Sequence, residues 1–207
     1  FPKDIIAEAG ELGLMGIAYP TEYGGAGMDY VSYFLAIEEI SRWCASTGVI
    51  ISAHSSLVCD PIYRFGTEEQ KQKYLPDLLS GKKIGAFSLT ESSAGSDSGN
   101  TKTYAVKEGN KWIINGSKLF ATNGNEAEVF VLIARTNKQE KHRGLSAFIV
   151  ERDMPGYKIG KLEKKMGIRS SSTAEIILEN VEVPEENMLG KDGEGFKISM
   201  VTLDGGR

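Results

Sequence analysis

Ile84-Gly85-Ala86-Phe87-Ser88-Leu89-Thr90 is where one pattern of apolar residues gives way to another. It reads as an extended strand, and further strand-like runs follow it at Thr101 to Lys107, Trp112-Ile113-Ile114, Val129 to Ala134, Leu145 to Val150, Tyr157 to Ile159 and Ala174 to Leu178. Gly109-Asn110 supplies a hairpin turn between the second and third runs. Several strands joined by short turns favour an antiparallel sandwich or barrel over alternating βαβ units.

Upstream of Ile84 the apolar residues recur at helical spacing. Phe1-Pro2 leads into Ile5, Ile6, Ala9 and Leu12, and Asp29 is placed as the N-cap of a helix carrying Val31, Phe34, Leu35, Ile37 and Ile40 toward Trp43. A second run, Val49 to Val58, is apolar with small residues, and Pro61 marks a break or kink after it. Thr67-Glu68-Glu69-Gln70 has the capping-box pattern ahead of Tyr74, Leu75, Leu78 and Leu79, with Gly81 as the stop. The glycines of Tyr19 to Gly27 predict a packed turn rather than a linker. Beyond Pro184 and Gly190 the pattern is helical again, with Phe196, Met200 and Leu203 on one face. The expected fold is α+β and multi-domain. It has an N-terminal helical domain over 1–83, an antiparallel β-barrel-like middle domain over 84–190, and the start of a C-terminal helical domain over 191–207. The lack of an initiator Met and the end directly after an amphipathic run read as a piece of a longer protein.

Composition narrows the function. With 207 residues and 41% hydrophobic content the chain can fill a sizeable core, which argues against disorder. Lys and Arg (24) are interleaved with Asp and Glu (28) for a net charge of −4, which makes nucleic acid a poor partner. No apolar run approaches the roughly 20 residues of a membrane-spanning helix, and no signal peptide is legible. The chain reads as soluble and intracellular. Cys44 and Cys59 are too few for a disulfide framework, and His54 and His142 are too scattered for a metal site, so no metal ligands are expected. His54 reads as a packing residue on the apolar second run, and His142 sits in a polar hairpin loop. Redox chemistry, if present, falls to a bound cofactor.

The densest cluster of small and hydroxylated residues is Thr90-Glu91-Ser92-Ser93-Ala94-Gly95-Ser96-Asp97-Ser98-Gly99, directly after a strand. Such a loop can turn several N–H groups and hydroxyls toward one anionic ligand. It is neither a P-loop nor a dinucleotide fingerprint. With Phe87 to Asp97, Asn115-Gly116-Ser117-Lys118-Leu119-Phe120-Ala121-Thr122-Asn123-Gly124 and Lys165-Met166-Gly167-Ile168-Arg169-Ser170-Ser171-Ser172-Thr173 in this order, the chain resembles the acyl-CoA dehydrogenase family. Tyr23-Gly24-Gly25, Val183-Pro184-Glu185-Glu186-Asn187, Gly193-Glu194-Gly195-Phe196 and Leu203-Asp204-Gly205-Gly206-Arg207 extend the match over essentially the whole chain. The short-chain, butyryl-CoA type resembles it best, then the short branched-chain type. The resemblance implies a helical domain, a β-barrel-like domain and a C-terminal helical bundle.

It also implies FAD and an acyl-CoA substrate, oxidised to the trans-2-enoyl form by α-proton abstraction and β-hydride transfer to the flavin. Phe87, Ser88, Leu89 and Thr90 would line the flavin ring, with the Thr90 hydroxyl near its pyrimidine end. Phe120, Ala121 and Thr122 would meet it from a second strand, Phe120 as an aromatic wall and Thr122 as a donor near N5 and O4. Ser96 is assigned to the cofactor and the CoA substrate, Lys165 to CoA, and Asp204, Gly205, Gly206 and Arg207 to the acyl-CoA site. No catalytic base is expected within the chain. Some relatives carry the Glu where Gly206 stands, and Asp204, two residues earlier, points about 200° away around a helix, so a Glu beyond Arg207 is expected. Two departures from the family pattern are Phe120, where many members have Trp, and Ser92-Ser93, where many have Pro and then Gly or Asn. Electron-transferring flavoprotein is the implied electron acceptor and a homotetramer the implied assembly, in the cytoplasm of a bacterium or the mitochondrial matrix of a eukaryote. An acyl-CoA oxidase and a non-catalytic flavoprotein relative are the alternatives.

Overall fold

The computed structural model describes residues 1–206. Helices α1 (Lys3–Glu11), α2 (Tyr30–Trp43), α3 (Ala45–His54), α4 (Asp60–Phe65) and α5 (Glu68–Leu79) come first. Strands β1 (Gly85–Ser88), β2 (Tyr104–Glu108), β3 (Lys111–Thr122), β4 (Val129–Arg135), β5 (Leu145–Glu151), β6 (Tyr157–Leu162), β7 (Thr173–Pro184) and β8 (Met188–Leu189) follow, and α6 (Gly195–Gly205) closes the order.

The expected caps form. The Asp29 carboxylate accepts from Ser32 N at 2.8 Å, and Thr67 and Gln70 exchange both capping-box bonds, at 3.3 and 3.0 Å. Gln70 does more than cap, because its Nε2 also donates to the Glu186 and Met188 carbonyls and so ties α5 to the far end of the sheet. Gly24 takes φ +89°, and a Cβ on Gly25 would lie 2.1 Å from the Tyr19 carbonyl oxygen, so the Tyr19–Gly27 turn is packed as its composition predicts. The expected break at Pro61 is absent. A π-helical turn over Ser55–Cys59 carries the helical path from α3 into α4, and Pro61 sits in the first turn of α4, directly after that wider turn.

The sheet order is β6-β7-β3-β2-β4-β5-β8. Antiparallel pairing dominates, but β1 lies parallel to β4 along Val129–Leu132, and β2 meets the same edge of β4 only at Tyr104 and Arg135, also in parallel. Residues 89–103 therefore leave the sheet edge and return to it. β3 is longer than its apolar start predicts. Register shifts between Ile114 and Gly116 and between Lys118 and Ala121 interrupt the alternation that marks a strand. Gly116 takes φ +145°, and a Cβ there would clash with Thr103.

Alternation along β4 and β5 feeds two cores, as expected for strands covered on both faces. Phe130, Leu132, Ala134, Phe148 and Val150 join Trp112, Ile114, Leu178 and Val183 inside the curl of the sheet. Val129, Val131, Ile133, Ala147 and Ile149 face Tyr74, Leu75, Leu78 and Ile198 on the helices. The curl is barrel-like. Phe130 of β4 meets Tyr157 of β6 with ring centroids 4.8 Å apart, although three strands lie between them in the hydrogen-bonded path. No helix is long and apolar enough to cross a membrane among the described residues.

Candidate functional site

Where α3, its π-helical extension, the segment after β1, the end of β3 and α6 converge, they leave an open cleft of about 170 Å³. Ala53, Leu57, Phe87, Leu89, Leu119, Phe120 and Leu203 make it apolar, and Thr90 and Thr122 bring two hydroxyl-bearing side chains to it. Each wall has a local cause. On the helical side Ala53 and Leu57 are one turn apart, and the wide π turn carries Leu57. On the strand side the irregularity between Lys118 and Ala121 gives Phe120 a φ of +59°, turning its ring outward so that it is 58% exposed. A non-glycine residue in that region is uncommon, and an aromatic one held there and left bare marks a surface shaped for something else.

The segment facing Phe120 is held without a sheet ladder, because β1 ends at Ser88. The Lys118 ammonium donates to the Leu89 carbonyl at 3.0 Å and to Glu91 Oε1 at 2.7 Å, and Leu119 N donates to the Thr90 carbonyl at 2.8 Å. Both ends of the ion pair are out of solvent, with side-chain exposures of 0% and 5%. Glu91 also accepts from Lys102 N and Thr103 N. Burial pulls the Lys118 ammonium down to about 8 against the opposing pull of Glu91. For the Glu91 carboxyl the upward push of burial is outweighed by the Lys118 charge and the donated hydrogen bonds, leaving it below the usual value.

Asn123 closes the strand end of the site. It is fully buried at φ +65°, its backbone N–H reaches the Ser172 carbonyl, and its Nδ2 donates to the carbonyls of Ile50 and Gly85. His54 makes the matching tie behind β1. Its Nδ1 accepts from Gly85 N at 2.9 Å, so the ring proton sits on Nε2, 3.0 Å from the Leu78 carbonyl. Burial drives its pKa down to about 4. It is a neutral packing residue, as the sequence reading expects. His142 lies in the exposed loop before β5, its ring 4.2 Å from that of Phe196.

The cleft brings together Phe87, Leu89, Thr90, Phe120 and Thr122 of the residues singled out in the sequence. Ser88 and Ala121 are buried beside them, and Ser96 stands on the exposed loop beyond the bridge between Glu91 and Ala94. The Lys165 ammonium is engaged by the Ser171 carbonyl and Thr173 Oγ1, and Thr173 is the β7 partner of Thr122. Asp204 and Gly205 are the exposed last residues of α6, Gly206 caps it, and Arg207 lies outside the described residues.

Residues 1–82 match the N-terminal domain model of the acyl-CoA dehydrogenases, and residues 86–181 match the middle-domain model. The chain belongs to the acyl-CoA dehydrogenase family. It is 54% identical over its whole length to the short-chain specific acyl-CoA dehydrogenase of Clostridium acetobutylicum, covering 55% of that protein. It superposes with a TM-score of 0.97 and 55% identity on a chain in the structure described as the electron transferring flavoprotein of Acidaminococcus fermentans, covering 98% of this chain and 53% of that one. With a Bacillus anthracis acyl-CoA dehydrogenase solved in complex with FAD the TM-score is 0.92 at 43% identity, covering 99% of this chain and 34% of that one. The chain thus spans about half the length of the curated relatives it matches.

Several cleft residues of this family member escape the sequence reading. Ala53, Leu57 and Leu119 look like ordinary core residues, and only the fold turns them toward one space. The Glu91–Lys118 pair does leave a trace, because Lys118 is a lysine placed at an inward position of a strand, where an unpaired charge is untenable.

Proposed function

We propose that the protein is the helical and middle portion of a FAD-dependent short-chain acyl-CoA dehydrogenase. Its domains run over 1–83 and 84–190, and a C-terminal helical domain opens at 191. The cleft between residues 87–90 and 119–122 carries this reading. A planar heteroaromatic ring is apolar on its faces and polar along one edge, and the cleft offers two exposed or half-exposed phenylalanines, four leucines and two threonines. The donor set fits the flavin. Phe87, Leu89 and Phe120 would flank the ring, Ser88 and Ala121 would contribute backbone groups, and Thr90 and Thr122 would address its polar edge, Thr122 as the donor near N5 and O4. Ser96 would serve the cofactor and the CoA, and Lys165, Asp204, Gly205, Gly206 and Arg207 the acyl-CoA.

When bound, FAD supplies the hydride acceptor. The chain's part is positional, holding apolar walls that exclude water and hydroxyls aimed at one edge, so that proton loss and hydride transfer occur in one geometry. The base is a separate matter. Among the described residues none that lines the cleft carries a carboxylate, Asp204 is exposed, and a Cβ on Gly206 would stand 2.7 Å from Leu57 Cδ2. A glutamate beyond Arg207 is the base in this proposal. Electron-transferring flavoprotein is proposed as the acceptor and a homotetramer as the assembly, in bacterial cytoplasm or the mitochondrial matrix.

The test is anaerobic addition of butyryl-CoA to the full-length protein and to the 207-residue chain, each with excess FAD. Bleaching of the flavin by the full-length protein alone is the expected result. Bleaching by the shorter chain that survives Asp204→Asn would place the base wrongly, and a full-length protein that binds flavin without bleaching would favour a non-catalytic relative.

A further inference from the structure

The segment carrying Leu89, Thr90 and Glu91 belongs to no strand, yet it forms one wall of the cleft. Two consecutive residues of β3 hold all three of its members. Lys118 reaches Leu89 O and the Glu91 carboxylate, and Leu119 N reaches Thr90 O. Glu91 continues the chain of contacts to Lys102 N and Thr103 N, where the excursion rejoins the sheet edge, and pairs backbone to backbone with Ala94. Lys118 is also the last residue in register before the irregularity that turns Phe120 outward. One buried ammonium thus sits between the two features that shape the cleft.

A buried ion pair is weak evidence for stability, since well-packed neutral residues of similar volume often do as well. What it supplies is directional. The ammonium must satisfy a carbonyl and a carboxylate at fixed positions, and a site loosened by about 1 Å loses function before it loses its fold. We infer that Glu91 and Lys118 are a positioning pair that sets the spacing of the Thr90 wall from the Phe120–Thr122 wall and thereby preorganises the flavin-binding cleft. Neither side chain touches the cleft, so both act through Leu89, Thr90 and the turn at Phe120. The inference rests on the cleft being the flavin site.

The experiment compares the full-length wild-type protein with Glu91→Gln and with Glu91→Gln/Lys118→Met. The double variant discharges both partners, and Glu91→Gln removes one charge at constant shape. Thermal unfolding of each apoprotein is measured beside FAD affinity, by quenching of flavin fluorescence, and beside the visible spectrum of the bound flavin. The expected result is a melting temperature close to wild type in at least one variant, with FAD bound about tenfold more weakly, equivalent to 1.4 kcal/mol, and a blurred flavin spectrum. Wild-type affinity and spectrum in a folded variant would overturn the inference. So would failure of both variants to fold, which would make the pair a folding requirement instead. If the wild-type protein itself binds no FAD, the flavin reading fails and the inference that rests on it is overturned with it, an outcome distinct from loss of the effect in the variants alone.

Discussion

Acidification should loosen the junction between helices and sheet through His54. Folded, the imidazole is fully buried with a pKa near 4, against 6.5 for the exposed group. A second proton would also sit on Nδ1, directly against the Gly85 N–H that Nδ1 now accepts. Between pH 6.5 and 4 the unfolded chain therefore takes up a proton that the folded one refuses, so stability rises with pH across that window and is lost as pH falls through it. Linkage puts the loss at about 2 kcal/mol by pH 5 and about 3 kcal/mol by pH 4, a large share of a typical domain's stability. Urea unfolding at pH 7 and pH 5 measures it, with His54→Gln as the control, since glutamine offers an acceptor and a donor but does not titrate. Carboxylates held low, such as Glu91, give up their contribution mainly below their ordinary values, so the wild-type minus variant difference isolates the histidine. The pH 7 to pH 5 loss should shrink by about 2 kcal/mol in the variant. Equal losses in both proteins would show that His54 is not the proton-linked group.

Three further substitutions separate site from scaffold. Thr122→Val in the full-length protein should slow flavin reduction in stopped-flow absorbance by roughly tenfold, the loss of about 1 kcal/mol or somewhat more of hydrogen bonding, with little change in melting temperature. An unchanged rate would remove the threonine from the site. Gly25→Ala forces a Cβ to within 2.1 Å of the Tyr19 carbonyl oxygen and should cost about 2–4 kcal/mol in thermal or urea unfolding. Gly167→Ala, which meets nothing within 4 Å, should stay within about 0.5 kcal/mol of wild type, and similar costs for both would mean that the Tyr19–Gly27 turn is looser than described.

Elements with strict local signals were legible in the sequence. The capping box at Thr67–Gln70, the Asp29 cap and the Gly109-Asn110 hairpin depend on residues a few positions apart, and each forms. Where the ladder is irregular the sequence was mute. β3 runs to Thr122, but Gly116 and the shift before Ala121 break its alternation, and the π-helical turn at Ser55–Cys59 hides behind an apolar run that any helix would share. The cleft divides in the same way. Phe87, Thr90, Phe120 and Thr122 were reached through family resemblance, whereas Ala53, Leu57 and Leu203 enter because helices far apart in sequence meet the end of β3. The parallel β1–β4 contact could not be foreseen either, since it depends on where the chain leaves α5 rather than on the strand's own residues.

The central claim is that the cleft between residues 87–90 and 119–122 holds the flavin, and a crystal structure of the full-length protein grown with FAD tests it most directly. The account predicts ring density against Phe87, Leu89 and Phe120, with the Thr90 and Thr122 hydroxyls within hydrogen-bonding distance of its polar edge. Flavin density elsewhere, with this cleft filled by protein side chains, would contradict it.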